Sequence, residues 1–167
     1  MAMDTDRRQI WRTGLGLAIF LLLTTGVGWL AAQVTWPALG WYAELNKPGF
    51  TPPDRVFGPV WSVLYLLMAL AGWRVWKAKL NRAQIGPALA MFFVQLALNA
   101  LWSPVFFGAK RPDVAFLVIL MLLGALGVTS MQFFRVDRVA GWMLAPYLVW
   151  VAYAAALNAA IVLLNRI

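Results

Sequence analysis

The sequence predicts an all-α integral membrane bundle of five transmembrane helices. Three observations carry that expectation. Of the 167 residues, 63% are hydrophobic and only 12% are charged, whereas soluble domains run closer to half apolar and a quarter charged. The apolar excess falls in five blocks of about 20 residues, the length needed to cross a bilayer's hydrocarbon core. All six acidic residues, Asp4, Asp6, Glu44, Asp54, Asp113 and Asp137, fall outside those blocks.

The blocks run over about 13–34, 56–73, 85–107, 114–134 and 139–164. Each must be helical, because only a helix satisfies its own backbone polar groups in lipid and an isolated strand does not. Arg7, Arg8 and Arg12 precede the first block and Ala31-Ala32-Gln33 follows its middle, a pattern with some likeness to a cleaved leader. The apolar run is too long for a typical leader core, so retention as the first membrane helix is expected. The blocks leave room for one membrane domain over 1–167 and no separate soluble module.

Positive charge sets the expected orientation. One side gathers Arg7, Arg8, Arg12, Arg74, Lys77, Lys79, Arg82, Arg135 and Arg138; the other has only Lys47, Arg55, Lys110, Arg111 and Arg166. In a bacterial-type cell membrane this puts the N-terminus in the cytoplasm and the stretch 41–61 outside. The net charge of +8 is accounted for by topology and lipid headgroups, and no nucleic-acid partner is expected.

Several chemistries are disfavoured. The chain has no cysteine and no histidine, which removes thiolate chemistry, the usual haem ligand and the commonest acid–base side chain. No carboxylate lies within a predicted span, and ion-coupled pumps place ionisable groups at that depth. No internal repeat divides the chain into inverted halves. No resident cofactor, metal site or catalytic group is expected.

The few polar side chains at depth form a pattern. Gln95, Asn99 and Ser103 are spaced four apart on one face of the third span; Trp150, Ala154 and Asn158 repeat that spacing in the fifth, with Tyr147 one turn earlier; Trp61 and Tyr65 stand one turn apart in the second. At about 1.5 Å per residue, Trp61 and Tyr65 lie roughly 7–13 Å below the outer face, Asn99 roughly 12 Å, and Asn158, Ala154 and Trp150 roughly 9–21 Å. Two readings stand at this point. The polar residues bond neighbouring helices, or the set lines one ligand pocket that opens outwards. Trp11, Trp29, Trp36, Trp73, Trp76 and Trp142 read as interface anchors.

The stretch 41–61, "WYAELNKPGFTPPDRVFGPVW", favours the pocket. Prolines 48, 52, 53 and 59 stiffen it. Trp41, Tyr42, Phe50 and Phe57 give it an aromatic surface suited to closing over a flat ligand. A belt lying on headgroups is the competing reading. Lys47 or Arg55 is placed to meet acidic groups of a ligand at the mouth.

"WYAELNKPGFTPPDRVFGPVWSVLY", "NALWSPVFFGAKRP" and "APYLVWVAYAAALN" resemble the tryptophan-rich sensory protein family, whose mitochondrial members are the translocator proteins, or peripheral benzodiazepine receptors. The resemblance runs from about Gly14 to Asn165 in the same order. It implies five membrane helices, a homodimer, and binding of porphyrins, chiefly protoporphyrin, or of other hydrophobic drug-like molecules. It also implies ligand contacts at Trp61, Tyr65, Asn99, Trp150 and Ala154, to which the loop reading adds Trp41. Porphyrin or sterol transport, stress signalling and light-dependent porphyrin breakdown follow as alternatives, the last read as a property of the bound pigment. A structural or regulatory protein acting through partner proteins is the other reading. Two departures matter. Gly49-Phe50 stands where some relatives carry paired tryptophans. Tyr153 is followed by no basic residue until Arg166, which argues against a cholesterol motif. The remaining partner is membrane lipid. The Gly86-x-x-x-Ala90 spacing in the third span permits close approach of a second copy.

Overall fold

The computed structural model describes residues 2–80 and 82–166, with side chains over 13–80 and 83–166. The side chains of Asp4, Asp6, Arg7, Arg8, Trp11, Arg12 and Arg82 lie outside the described residues.

The chain is an all-α bundle. Helix α1 spans Ala2–Thr35 and continues through a 3₁₀ turn, Trp36–Ala38, into the short α2, Leu39–Glu44. Then come α3 (Asp54–Trp76), α4 (Arg82–Ser103) with a π turn over Pro104–Gly108, α5 (Pro112–Val136) and α6 (Arg138–Asn165). Five segments are long and apolar enough to span a membrane: Thr13–Glu44, Asp54–Trp76, Ala83–Gly108, Pro112–Val136 and Arg138–Asn165. They correspond in order to the five predicted blocks.

The stretch 41–61 is not one loop. Only 45–53 is irregular. Trp41 and Tyr42 belong to α2, while Phe57 and Trp61 belong to α3. Pro53 adopts an extended conformation (φ −57°, ψ 140°) and α3 starts directly after it, whereas Pro59 is accommodated inside α3. Prolines 48, 52 and 53 thus mark the irregular segment, and the aromatic residues on either side of it are helical.

Helix packing uses close approach at small residues. A Cβ on Gly72 of α3 would lie 2.7 Å from the Phe20 ring of α1 and 3.1 Å from Phe92 of α4. One on Gly28 of α1 would lie 2.5 Å from the Tyr65 ring of α3. These contacts make α1 an integral wall of the bundle. The main core gathers Met68, Ala69, Phe92, Leu126, Phe133, Leu144 and Tyr147. Phe92 stacks on Phe133 at 5.9 Å and 14°, which ties α4 to α5.

Two sets of polar contacts define the ends of the bundle. At one end Trp73 Nε1 donates to the Thr13 carbonyl (3.0 Å), Lys77 Nζ sits 3.5 Å over the Trp73 ring, and Arg74 pairs with Asp137 at 2.8 Å. At the other, the Asn165 side chain bonds the backbone of Asn46 through both N–H and C=O (3.0 and 2.9 Å). The irregular segment 45–53 is therefore fastened to the C-terminal end of α6, on the side of the π turn.

Asp137 has two tasks. Its carboxylate accepts from the Val139 and Ala140 amides and so caps α6, and it also accepts from Arg74. Burial pushes its carboxyl up, but the Ala140 amide, the Arg74 guanidinium and the Val139 amide together hold it below the usual carboxylate value. A depressed pKa contributes stability above the unfolded value of about 3.9, and that stability is lost as pH falls through the lower folded value. Asp137→Asn keeps a capping side chain and removes the charge. It is expected to lower stability by about 0.5–1 kcal/mol at neutral pH. Thermal unfolding in detergent checks this, and the gap from the parent is expected to close as the pH is brought below about 4.

Candidate functional site

A cavity of about 520 Å³ lies between α1, α3, α4 and α6, on the side of the irregular segment. Its floor is built from Asn99. The Tyr65 hydroxyl of α3 donates to Asn99 Oδ1, and Asn99 Nδ2 donates to the Tyr147 hydroxyl of α6, both at 2.9 Å. Asn99, Tyr65 and Tyr147 are all buried. One carboxamide thus joins three helices, at a depth where an unpaired polar group is costly. Trp61 stacks on Tyr65 (5.3 Å, 28°) and meets Tyr147 edge-on (6.1 Å, 66°).

The α6 wall carries Trp150 and Ala154. Trp150 packs edge-on against Phe57 (5.9 Å, 74°). Its indole nitrogen is buried and has no acceptor in the protein. Ala154, one turn on, lines the cavity as well. The α4 wall carries Ser103, and Trp102 stacked on Phe106 at 5.0 Å and 29°. Asn158 fixes that corner: it accepts from Trp102 Nε1 (3.2 Å) and donates to the Pro112 carbonyl (2.8 Å).

Segment 45–53 closes against α6 through Phe50. The Tyr153 hydroxyl donates to the Phe50 carbonyl (2.6 Å), and the two rings meet edge-on at 6.2 Å. Phe50 thus makes an aromatic contact with α6.

Of the six residues singled out from the sequence, Trp61, Tyr65, Asn99, Trp150 and Ala154 all line this cavity. Trp41 does not. The short α2 turns Tyr42 towards the cavity and leaves Trp41 edge-on to the far side of Phe106 (6.0 Å), with Lys110 Nζ 5.9 Å from its ring. Lys47 does not reach the mouth either: its ammonium donates to the carbonyls of Tyr42, Ala43 and Leu45 (2.8, 3.1 and 3.1 Å). A cation fits there because the last carbonyls of α2 and the negative end of its dipole gather at this point. Arg55 is absent from the lining. Gln95, below Asn99 on the same face, is fully buried but does not line the cavity.

The polar set divides: Ser103 lines the cavity, while Gln95 does not line it and its buried amide has no hydrogen-bond partner in the protein. Asn99 and Asn158 bond neighbouring helices and line the cavity as well. Other lining residues went unread. Trp102 and Phe106 lie three and seven residues after Asn99, on the helical face already in view. Trp29 and Trp36, taken as interface anchors, line the cavity rim while remaining 62% and 67% exposed. Nothing in their spacing separates the two roles.

The site can grip a flat hydrophobic molecule between indole and phenol rings. The buried Trp150 N–H, which has no acceptor in the protein, is available for orientation. Among the described residues no group of three or more His, Cys, Asp or Glu could hold a metal ion. Asn99→Leu removes the bridge and leaves two buried hydroxyls without it. It is expected to destabilise the bundle by about 1 kcal/mol or more. Combined with Tyr65→Phe in a double-mutant cycle read by thermal unfolding in nanodiscs, it should show a favourable coupling; additive effects would deny the bridge.

Comparison with known proteins agrees with this architecture. The TspO/MBR family model matches residues 18–164. A tryptophan-rich sensory protein of Cereibacter sphaeroides is 45% identical over 118 residues, 71% of this chain and 72% of the relative. The human translocator protein is 36% identical over 150 residues, 89% of this chain and 87% of the relative. The tryptophan-rich protein TspO of Archaeoglobus fulgidus is 37% identical over 153 residues, 90% and 97% of the two chains. With its five membrane-spanning helices and this match over nearly its whole length, the chain belongs to the TspO/MBR family.

Proposed function

We propose that this integral membrane protein binds porphyrins of the protoporphyrin type, and other flat hydrophobic molecules, in the cavity under segment 45–53, and serves as a sensory or translocator protein. One observation carries the reading: a cavity of about 520 Å³ walled by Trp61, Tyr65 and Trp150, with a buried indole N–H that has no protein acceptor. Its size falls in the range of about 300–1,000 Å³ usual for small-molecule pockets. Aromatic walls supply stacking with little directional demand, which suits a planar ring. The lack of histidine and cysteine and of acids at depth supports a binding role over a catalytic one. In a bacterial-type cell membrane the charge distribution would put segment 45–53 on the outer side.

The two tryptophans should dominate affinity. Apolar burial contributes about 25 cal/mol per Å², and ring stacking about 0.5–1.5 kcal/mol beyond it. Trp61→Ala or Trp150→Ala is therefore expected to weaken porphyrin binding by about tenfold or more, near 1.4 kcal/mol. Trp41→Ala and Trp142→Ala, neither of which lines the cavity, should bind nearly as the parent does. Fluorescence titration in nanodiscs, with helicity verified, checks the set. Parent-like binding by both cavity variants would place the ligand elsewhere.

We further propose that two copies associate through α4. Gly86 has no atom within 4 Å of where a Cβ would stand, and both Gly86 and Ala90 are exposed on one face, so a second helix can approach closely. Ala90→Leu should reduce dimer yield in cross-linking within bilayers. An unchanged yield would exclude this face.

A further inference from the structure

The charge around the cavity is arranged in an unexpected way. Among its lining residues Asp54 alone is charged, and it is an acid. Its carboxylate is exposed at the start of α3, close enough to Tyr42 to act on it electrostatically. Among the described residues no cation pairs with it. None of the positive charges on that side, Lys47, Arg55, Lys110, Arg111 and Arg166, lines the cavity. Lys47 is held by three carbonyls of the α2 end. Arg111 forms a two-point pair with Asp113. Lys110 faces the Trp41 ring, off the cavity. Arg55 follows Asp54 directly, but a helix turns about 100° per residue, and Arg55 is not part of the lining.

An acid in the first turn of a helix is favoured by the helix dipole wherever it points, and that accounts for an acid at position 54. It does not account for this carboxylate standing alone on the rim of an apolar, aromatic cavity. A charge beside low-dielectric walls is less screened than one in open water. Any ligand entering past it meets one uncompensated negative charge.

We propose that Asp54 sets the charge selectivity of the cavity, favouring neutral or cationic flat hydrophobic ligands over dicarboxylates and turning the acidic edge of a bound tetrapyrrole away from the start of α3. This rests on the reading of the cavity as a porphyrin site and names which charge forms of that ligand class it prefers. A cavity selective for anions would place a free cation where Asp54 stands, as expected of Lys47 or Arg55 from the sequence. The structure has the opposite sign there.

The experiment compares protoporphyrin, a dicarboxylate at neutral pH, with its dimethyl ester. Both are titrated against the full chain in nanodiscs of zwitterionic lipid, for the parent, Asp54→Asn and Asp54→Lys. Helicity is checked for each. The quantity read is the ratio of acid affinity to ester affinity, and its change on substitution, in which partitioning of each probe into lipid cancels. Asp54→Asn is expected to raise the ratio by about threefold, Asp54→Lys to raise it further, and added salt to shrink both changes. An acid-to-ester ratio that is the same in all three proteins, while both probes bind, overturns the selectivity role and leaves the porphyrin reading standing. Binding of neither probe by the parent overturns both.

Discussion

The bond pair at Asn99 is the constraint on which the rest of the structure depends. One carboxamide accepts from Tyr65 and donates to Tyr147, and so sets the spacing of α3, α4 and α6 at a single depth. In lipid there is no hydrophobic force to hold helices together; packing and polar bonds must do so. Above this bridge lies the cavity, and below it Met68, Phe92, Phe133 and Leu144 fill the interior to zero exposure. The bridge also turns the Tyr65 ring into a platform. Trp61 stacks on it, and Gly28 lets α1 come up behind it. Floor, wall and helix spacing therefore share one origin.

The upper end of the bundle needs a second set of fastenings because the cavity removes packing there. Asn158 supplies one by joining Trp102 to the Pro112 carbonyl. Tyr153 supplies another by holding the Phe50 carbonyl, and Asn165 a third by bonding both backbone groups of Asn46. These bonds fasten segment 45–53 to α6 at the cavity's end of the bundle, though none of its residues lines the cavity, and prolines 48, 52 and 53 limit the backbone freedom that ordering it removes. The Trp150 indole N–H is a buried donor of the wall that has no acceptor in the protein. A buried donor without an acceptor is costly in an apolar setting, and a bound molecule carrying an acceptor would relieve that cost.

Much of this was legible in the sequence. Apolar runs of span length are a strong signal, and the four-residue spacing of Asn99 with its neighbours in α4, and of Trp150 with Ala154, marked the faces that meet. What escaped was rotational phase over short elements. Trp41 lies on a six-residue helix that follows a 3₁₀ turn at Pro37, and no periodicity that short says whether Trp41 or Tyr42 faces inwards. Lys47 looked available because a lysine between spans is usually solvated; the α2 carbonyls that hold it exist only once α2 forms. Asp54 stood out from the sequence only as one of six acids outside the spans. Trp29 and Trp36 escaped for a different reason, since a tryptophan at the membrane interface and one on a cavity rim have the same composition and depth.

The central claim is that the ligand sits on the Tyr65–Asn99 floor between the two tryptophans. The most direct measurement is photocross-linking in nanodiscs with a porphyrin bearing a diazirine, followed by mass-spectrometric mapping of the adducts. The account requires adducts at cavity residues of α3 and α6, such as Trp61, Trp150 and Ala154, competed away by unlabelled porphyrin. Adducts confined to lipid-facing positions such as Trp142 or Leu163, with none in the cavity, would contradict it.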